Sequence, residues 1–295
     1  MPHQSLGSLA CRPNLSDNIA SALEDRIIAS IAFIEPEAFH RDRNDSQLLI
    51  HVGDPGNYNQ AHIPGALLVE PRELVDGRPP ASGRLPSAER LTELFSRLGY
   101  QPELDIVLYD EEGGGWAGRM AWTLDIIGHA SWSYIDGGIH SWHAAGLPLE
   151  GGGPPAVTPT EVTLTLDMAP VAEIDDVLRA VKQGDEVIWD VRSAEEFAGL
   201  KSGSARAGHI PGAVNLDWLA LKDPNRGLRL RENLPALLAA HGVTGEAPII
   251  THCQTHHRSG LSYLVGRLLG YEIRAYHGSW AEWGNRDDTP VETGR

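Results

Sequence analysis

The sequence predicts an α/β protein built from two tandem copies of one domain, each a mainly parallel sheet flanked by helices. Three observations carry this. The stretches "AHIPGALLVE", from Ala61, and "GHIPGAVNLD", from Gly208, repeat one motif about half a chain apart. In both halves, short β-branched runs alternate with helical segments, the pattern of strands joined by crossover helices. Between the halves lies "GLPLEGGGPPAVTPTEV", Gly146 to Val162, whose glycines and prolines exclude a regular element.

The 295 residues suffice for two cores of ordinary size. Residues 1–26 read as an N-terminal extension, because they lack the basic start and apolar centre of a signal peptide. The first domain is expected over 27–145, a linker over 146–162 and the second domain over 163–295. In each domain an apolar strand, "QLLIHVG" or "EVIWDVR", precedes the shared motif. Ser193 and Glu196 have capping-box spacing, so a helix starts there. His209 and Pro211 read as turn formers, and His62 is the counterpart of His209. Next, "DIVLYDEEGGGWAGRMAWTLDIIG" matches "APIITHCQTHHRSGLSYLVGRLLG" in outline. Each reads as a strand, a polar or glycine-rich turn and an amphipathic helix ending at Gly128 or Gly270, where glycine suits a C-cap. An aromatic close follows, "YIDGGIHSW" or "AYHGSWAEW". Trp280 and Trp283 are expected in core and interdomain packing.

Composition narrows the function. The net charge of −16 repels phosphate backbones, so nucleic acid is not an expected partner. No apolar run reaches the ~18 residues of a membrane helix, so no membrane partner is expected. The two cysteines are Cys11, in the extension, and Cys253. That placement argues against a structural disulfide and for a reducing cytoplasm.

Cys253 sits between the strand Ile249–His252 and the start of a helix. In a parallel sheet, sites form at the carboxyl ends of strands. There, inward-facing loop N–H groups and the helix N-terminus stabilise a thiolate, the nucleophilic form. His256, His257 and Arg258 add positive potential. The bland alternative is a small core cysteine, but core cysteines are seldom set among His, Gln, Thr and Arg. Zinc is another, since His252, Cys253, His256 and His257 are ligand types, yet a tight turn converges such neighbours poorly. Cysteine phosphatases carry H-C-x5-R-[ST]; here His252, Cys253, Arg258 and Ser259 stand at the shorter C-x4-R spacing.

The loop Cys253-Gln254-Thr255-His256-His257-Arg258 resembles the active-site loop of rhodanese, thiosulfate sulfurtransferase, in its bacterial tandem-domain type. The likeness covers nearly the whole chain after about Ile27 and includes both H-I-P-G-A motifs, "EGGGWAGR" at Glu112 to Arg119, and "GSWAEWGN" from Gly278. The resemblance implies that Cys253 takes the outer sulfur of thiosulfate as a persulfide and passes it to cyanide or a thiol acceptor. It implies no cofactor and no metal, and allows a sulfur-accepting protein as partner. It also explains the spacing: a six-residue ring fits a persulfide, whereas the related phosphatases use seven residues for phosphate. Gln254, Thr255, His256, His257 and Arg258 are then the persulfide-binding loop. Arg258 either attracts the thiosulfate anion or forms a structural salt bridge. Asp190 and Arg192 match the family's D-x-R. Asp190 is expected to hold Arg258 or a loop N–H, and Arg192 to pair with Asp190 or face the substrate; the bland reading is an ion-pair network in the pocket wall.

Two departures bear on the substrate. Many animal relatives carry an arginine near the position of Glu196 that helps bind the substrate, and Gln254 replaces the basic residue that follows their active-site cysteine. Competing readings are a persulfide carrier that delivers sulfur to a partner, a 3-mercaptopyruvate sulfurtransferase, whose loop is small and neutral, and a cysteine phosphatase or arsenate reductase. The first domain is expected to be a catalytically dead copy that walls part of the pocket. Asp110 aligns with Cys253, His51 with Asp190 and Gly53 with Arg192, while Gly113 to Gly115 are the candidate remnant of an anion-binding nest.

Overall fold

The computed structural model describes residues 31–129 and 131–294; the expected extension, with Cys11, lies outside them. The first domain contains β1 (Ile31–Ile34), β2 (Gln47–Val52), β3 (Leu67–Val69), β4 (Asp105–Asp110) and β5 (Trp132–Ile135). Its helices are α1 (Pro36–Asp42), α2 (Pro55–Gln60), α3 (Ala88–Arg97), α4 (Gly115–Ile126) and α5 (Gly138–Ala144). The second domain contains β6 (Val171–Ala172), β7 (Val187–Asp190), β8 (Val214–Asn215), a small antiparallel ladder of β9 (Lys222–Asp223) and β10 (Arg229–Leu230), then β11 (Ile249–His252) and β12 (Ile273–Tyr276). Its helices are α6 (Ile174–Gln183), α7 (Ala194–Phe197), α8 (Leu234–Ala240), α9 (Arg258–Leu268) and α10 (Ser279–Trp283).

The sheets are twins. Their orders are β1-β5-β4-β2-β3 and β6-β12-β11-β7-β8, with every neighbouring pair parallel. Both faces of each sheet are covered, so the central strands read as nearly unbroken apolar runs. Register fixes the equivalences: His51 lies beside Tyr109, and Asp190 beside His252. One step further on, Asp110 therefore occupies the place of Cys253.

The repeated motif is a clasp. His62 stacks on Tyr58 with ring centres 3.8 Å apart, and its Nδ1 lies 2.8 Å from the Tyr58 carbonyl. His209 repeats this on Phe197, at 3.6 Å and 2.8 Å. Each histidine's backbone also pairs with the segment that closes its domain, His62 with Glu150 and His209 with Glu292.

Between Ala144 and Val171 no helix or strand forms. This extended path continues past residue 162, where the sequence reading places the second domain's start. It is held on the first domain, with Val157, Val162, Leu164 and Leu166 against that core. The Thr160 N–H donates to the Ser96 carbonyl and the Ser96 hydroxyl to the Thr160 carbonyl.

The domains meet through α4 and α9. A Cβ on Gly118 would lie 2.1 Å from the Gly260 carbonyl oxygen, and one on Gly260 would lie 2.2 Å from the Gly115 oxygen. Gly118 and Gly260 are counterparts, so the helices cross at a local two-fold. Sequence patterning suggests amphipathic helices, but both are buried nearly all round, because each sits between its own sheet and the other domain. Trp122 and Ile126 join the second core, and Leu264 joins the first. Trp280 and Trp283 pack within the second domain's own core, whereas Trp122 of the first domain crosses into the second core. Asp125 ties the far end, accepting from Tyr263 at 2.6 Å and Arg267 at 2.8 Å.

Gly118→Val should force the crossing apart and cost about 3 kcal/mol. The check is the midpoint of chemical unfolding. Gly153→Ala, at a site with nothing within 4 Å, is the control and should leave the midpoint unchanged.

Candidate active site

Cys253 follows β11 directly and is 1% exposed. The six-residue turn is anchored by its carbonyls. Trp280 and Ala281, in α10, donate N–H groups to the Cys253 and Gln254 carbonyls at 3.0 and 2.9 Å. Arg119 of the first domain reaches the His256 carbonyl at 3.4 Å. The Thr255 carbonyl lies against Gly83, where an added Cβ would come within 1.8 Å. In a trans peptide, C=O and the following N–H point opposite ways. Carbonyls turned outward therefore turn the N–H groups of Gln254, Thr255, His256 and His257 inward. Among the described residues, no protein acceptor takes those four N–H groups.

The Ser259 N–H and the Ser259 hydroxyl both favour the anionic form of the sulfur. Burial pushes its pKa up, but Arg258, the two Ser259 contacts and His257 outweigh burial and hold the thiol below its ordinary value.

Arg258 opens α9 and points both terminal nitrogens at Glu196, at 2.7 and 2.8 Å. This corrects the expectation that Asp190 holds Arg258 or a loop N–H. Asp190 instead closes on Arg192, with contacts of 2.6 to 3.1 Å from its N–H, Nε and Nη2. Arg192 is fully buried, donates also to the Gly208 carbonyl and lies 4.4 Å over Trp280. It pairs with Asp190, while its Nη1 is buried without a hydrogen-bond partner among the described residues. Glu196 carries both duties: Oε2 accepts from the Ser193 N–H, completing the capping box, and both oxygens take Arg258.

The loop histidines diverge. The His252 Nδ1 lies 3.2 Å from the Cys253 carbonyl, and its Nε2 is 3.7 Å from Asp190. His256 is fully buried beside Ser259. His257 stacks on Trp116, with ring centres 4.3 Å apart, and bonds Glu112. Gln254 donates to the Ser204 hydroxyl at 3.0 Å. The ligand types that suggest zinc in the sequence thus face different partners, and no described group of three or more His, Cys, Asp or Glu is placed to hold a metal ion.

The first domain supplies residues that sequence reasoning missed: Gly83, Arg119 and Glu112 all touch the loop. Arg119 is wholly buried, donates to the Leu74, Gly83 and Arg84 carbonyls, and lies 4.5 Å over Trp122.

The first domain's own loop keeps the nest, filled from within. The Asp110 carboxylate accepts the N–H groups of Glu112, Gly113, Gly114 and Ala117 at 2.8 to 3.1 Å. Counting back from the paired glycines, Trp116 stands for Arg258 and Ala117 for Ser259.

Paired parallel sheets of this order, each with a strand-to-helix loop closing on one anion, define the class, and the chain belongs to the rhodanese family. The Rhodanese-like domain model matches twice, over residues 35–145 and 173–286. A thiosulfate sulfurtransferase of Azotobacter vinelandii is 47% identical over 247 residues, 83% of this chain and 90% of that protein. One from Pseudomonas aeruginosa is 45% identical, with 83% and 90% covered. Among solved structures, the crystal structure of YnjE superposes with a TM-score of 0.80 at 24% identity, over 89% of this chain and 68% of that one, a likeness of fold.

Two predictions follow from the site's geometry. Burial alone would raise Glu196, but Arg258 and Ser193 lower it from an ordinary 4.5 to about 2. A carboxylate with a lowered folded pKa contributes stability above its unfolded pKa and loses it as pH falls through the folded one. The pair's contribution, on the order of 2 kcal/mol, should fade between those limits, and Glu196→Gln should flatten that acid limb in a pH series of unfolding curves. In the twin loop, Asp110→Cys combined with Cys253→Ser should show no sulfur transfer, because the nest there lacks Arg258 and the Ser259 hydroxyl. Thiocyanate release within tenfold of wild type would show that the N–H groups alone suffice.

Proposed function

We propose that this chain is a thiosulfate:cyanide sulfurtransferase acting by double displacement at Cys253. The thiolate attacks the outer sulfur of thiosulfate, the S–S bond to the sulfonate breaks, and sulfite leaves with the bonding pair. Cys253 is left as a persulfide anion inside the ring of N–H groups. An acceptor, cyanide or a low-molecular-weight thiol, then attacks the terminal sulfur, and Cys253 departs as thiolate. Charge forms and moves at atoms already surrounded by fixed donors, which is how such a ring accelerates the reaction.

One observation carries this reading. The same nest occurs twice, closed by a carboxylate in the first domain and by a lone sulfur in the second. The open N–H groups beside Cys253 are suited to a second sulfur carrying negative charge. Gln254, Thr255, His256 and His257 act through the loop they shape. Arg258, with both terminal nitrogens on Glu196, supplies positive potential to the sulfur and structure to the helix start. A reducing cytoplasm would keep the thiol available; no helix of the described residues is long and apolar enough to cross a membrane.

A persulfide carrier that hands its sulfur directly to a protein is the lesser reading. A sulfur only 1% exposed admits small acceptors more readily than another protein's thiol. Turnover separates the two readings.

Cys253→Ser should abolish thiosulfate:cyanide activity, and Cys11→Ser should retain it. Wild type incubated with thiosulfate should gain about 32 Da by intact mass, lost on adding cyanide. Full activity in Cys253→Ser would overturn the assignment.

A further inference from the structure

His256 holds a left-handed backbone, φ 53°, at a position where a bulky side chain is strained. Glycine would sit there without cost, so the histidine ring itself is what the position retains. The ring is wholly buried, and its Nδ1 lies 2.8 Å from the Ser259 hydroxyl oxygen. That same hydroxyl is a side-chain group that favours the Cys253 thiolate. A hydroxyl has one proton, so it can donate to the histidine or to the sulfur, not to both.

The surroundings decide which. Burial, followed by the positive potential of Arg119, His277 and His257, holds His256 well below its ordinary pKa, so the ring is neutral and carries one proton. Its Nε2 has no hydrogen-bond partner among the described residues. Placing the proton on Nε2 would bury an orphan donor; placing it on Nδ1 leaves only an unused lone pair. Nδ1–H therefore donates to the Ser259 oxygen, and the Ser259 proton is released toward sulfur.

We propose that His256 is a positioning residue that fixes the Ser259 hydroxyl proton on the Cys253 sulfur, as the second link of a chain His256–Ser259–Cys253. The chain stabilises the thiolate before attack and again when Cys253 leaves the persulfide. It transfers no proton; it sets the direction of one hydrogen bond. The inference rests on Cys253 being the nucleophile of the proposed reaction, but its test reads the thiol directly.

The test is the pH dependence of Cys253 alkylation by iodoacetamide, followed by peptide mapping so that Cys11 does not interfere. His256→Gly relaxes the backbone and removes the donor. It should raise the alkylation midpoint by about one pH unit, the worth of one hydrogen bond to a charged group. His256→Asn tolerates the left-handed backbone and keeps an N–H donor, and should stay near wild type. Ser259→Ala should raise the midpoint by itself, and adding His256→Gly to it should raise it little further. A wild-type midpoint in His256→Gly, equal shifts in the Gly and Asn variants, or fully additive shifts in the double variant would each overturn the chain. If His256→Gly unfolds, the His256→Asn and Ser259→Ala midpoints still read the donor and the hydroxyl separately. Absence of thiosulfate turnover in the wild type, with these alkylation shifts intact, would count against the proposed donor and leave the chain standing.

Discussion

Gly118 and Gly260 meet backbone to backbone, and the rest of the molecule is arranged around that contact. With no side chain between them, α4 and α9 come close enough for each domain to place residues in the other's core. The same closeness brings Gly83 onto the Thr255 carbonyl and Arg119 onto the His256 carbonyl. Both contacts help turn the loop's peptide planes outward. The geometry at the sulfur is thus set partly from the other domain, whose own loop carries Asp110 at the position of Cys253. Small-to-large changes at such a crossing are felt beyond their own volume, because packed interiors transmit displacement.

The twin loops separate what the fold provides from what the chemistry needs. Both fold a nest of N–H groups at the end of a central strand. In the first domain a carboxylate of the chain satisfies it permanently, and the loop becomes a structural plug. In the second the side chain is shorter by an atom and the following residues are Arg258 and Ser259 in place of Trp116 and Ala117. The N–H groups that follow Cys253 have no acceptor among the described residues, and Arg258 and Ser259 favour negative charge on the sulfur. The difference between plug and site lies in a few side chains and one residue of loop length.

Much of this was legible in the sequence. The duplication, the parallel strands and the strand-end position of Cys253 follow from repeated motifs and local patterns. The clasp at His62 and His209 was legible only as a turn, because its stacking partners, Tyr58 and Phe197, lie at different spacings. The partner of Arg258 was not legible. Glu196 has the spacing of a helix cap, and a local role that fits well conceals that a carboxylate has a second oxygen to offer. Asp190 looked like the natural partner because it ends the neighbouring strand, but Arg192, two residues on, closes back on it first. Arg119, Gly83 and Glu112 were invisible for another reason: they meet the loop across more than a hundred residues of chain, and nothing local marks them. His256 and Ser259 stand three apart, an unremarkable spacing until the left-handed turn between them swings the ring onto the hydroxyl.

The nearly all-round burial of α4 has a consequence for biosynthesis. Its outward face, including Trp122 and Ile126, belongs in a core whose other strands lie more than forty residues downstream. While the ribosome is still delivering the second half, a folded first domain displays that face to water. The nascent chain is therefore most prone to aggregation when half made, and the segment laid along the first domain from Gly146 onward is the first cover to reach it.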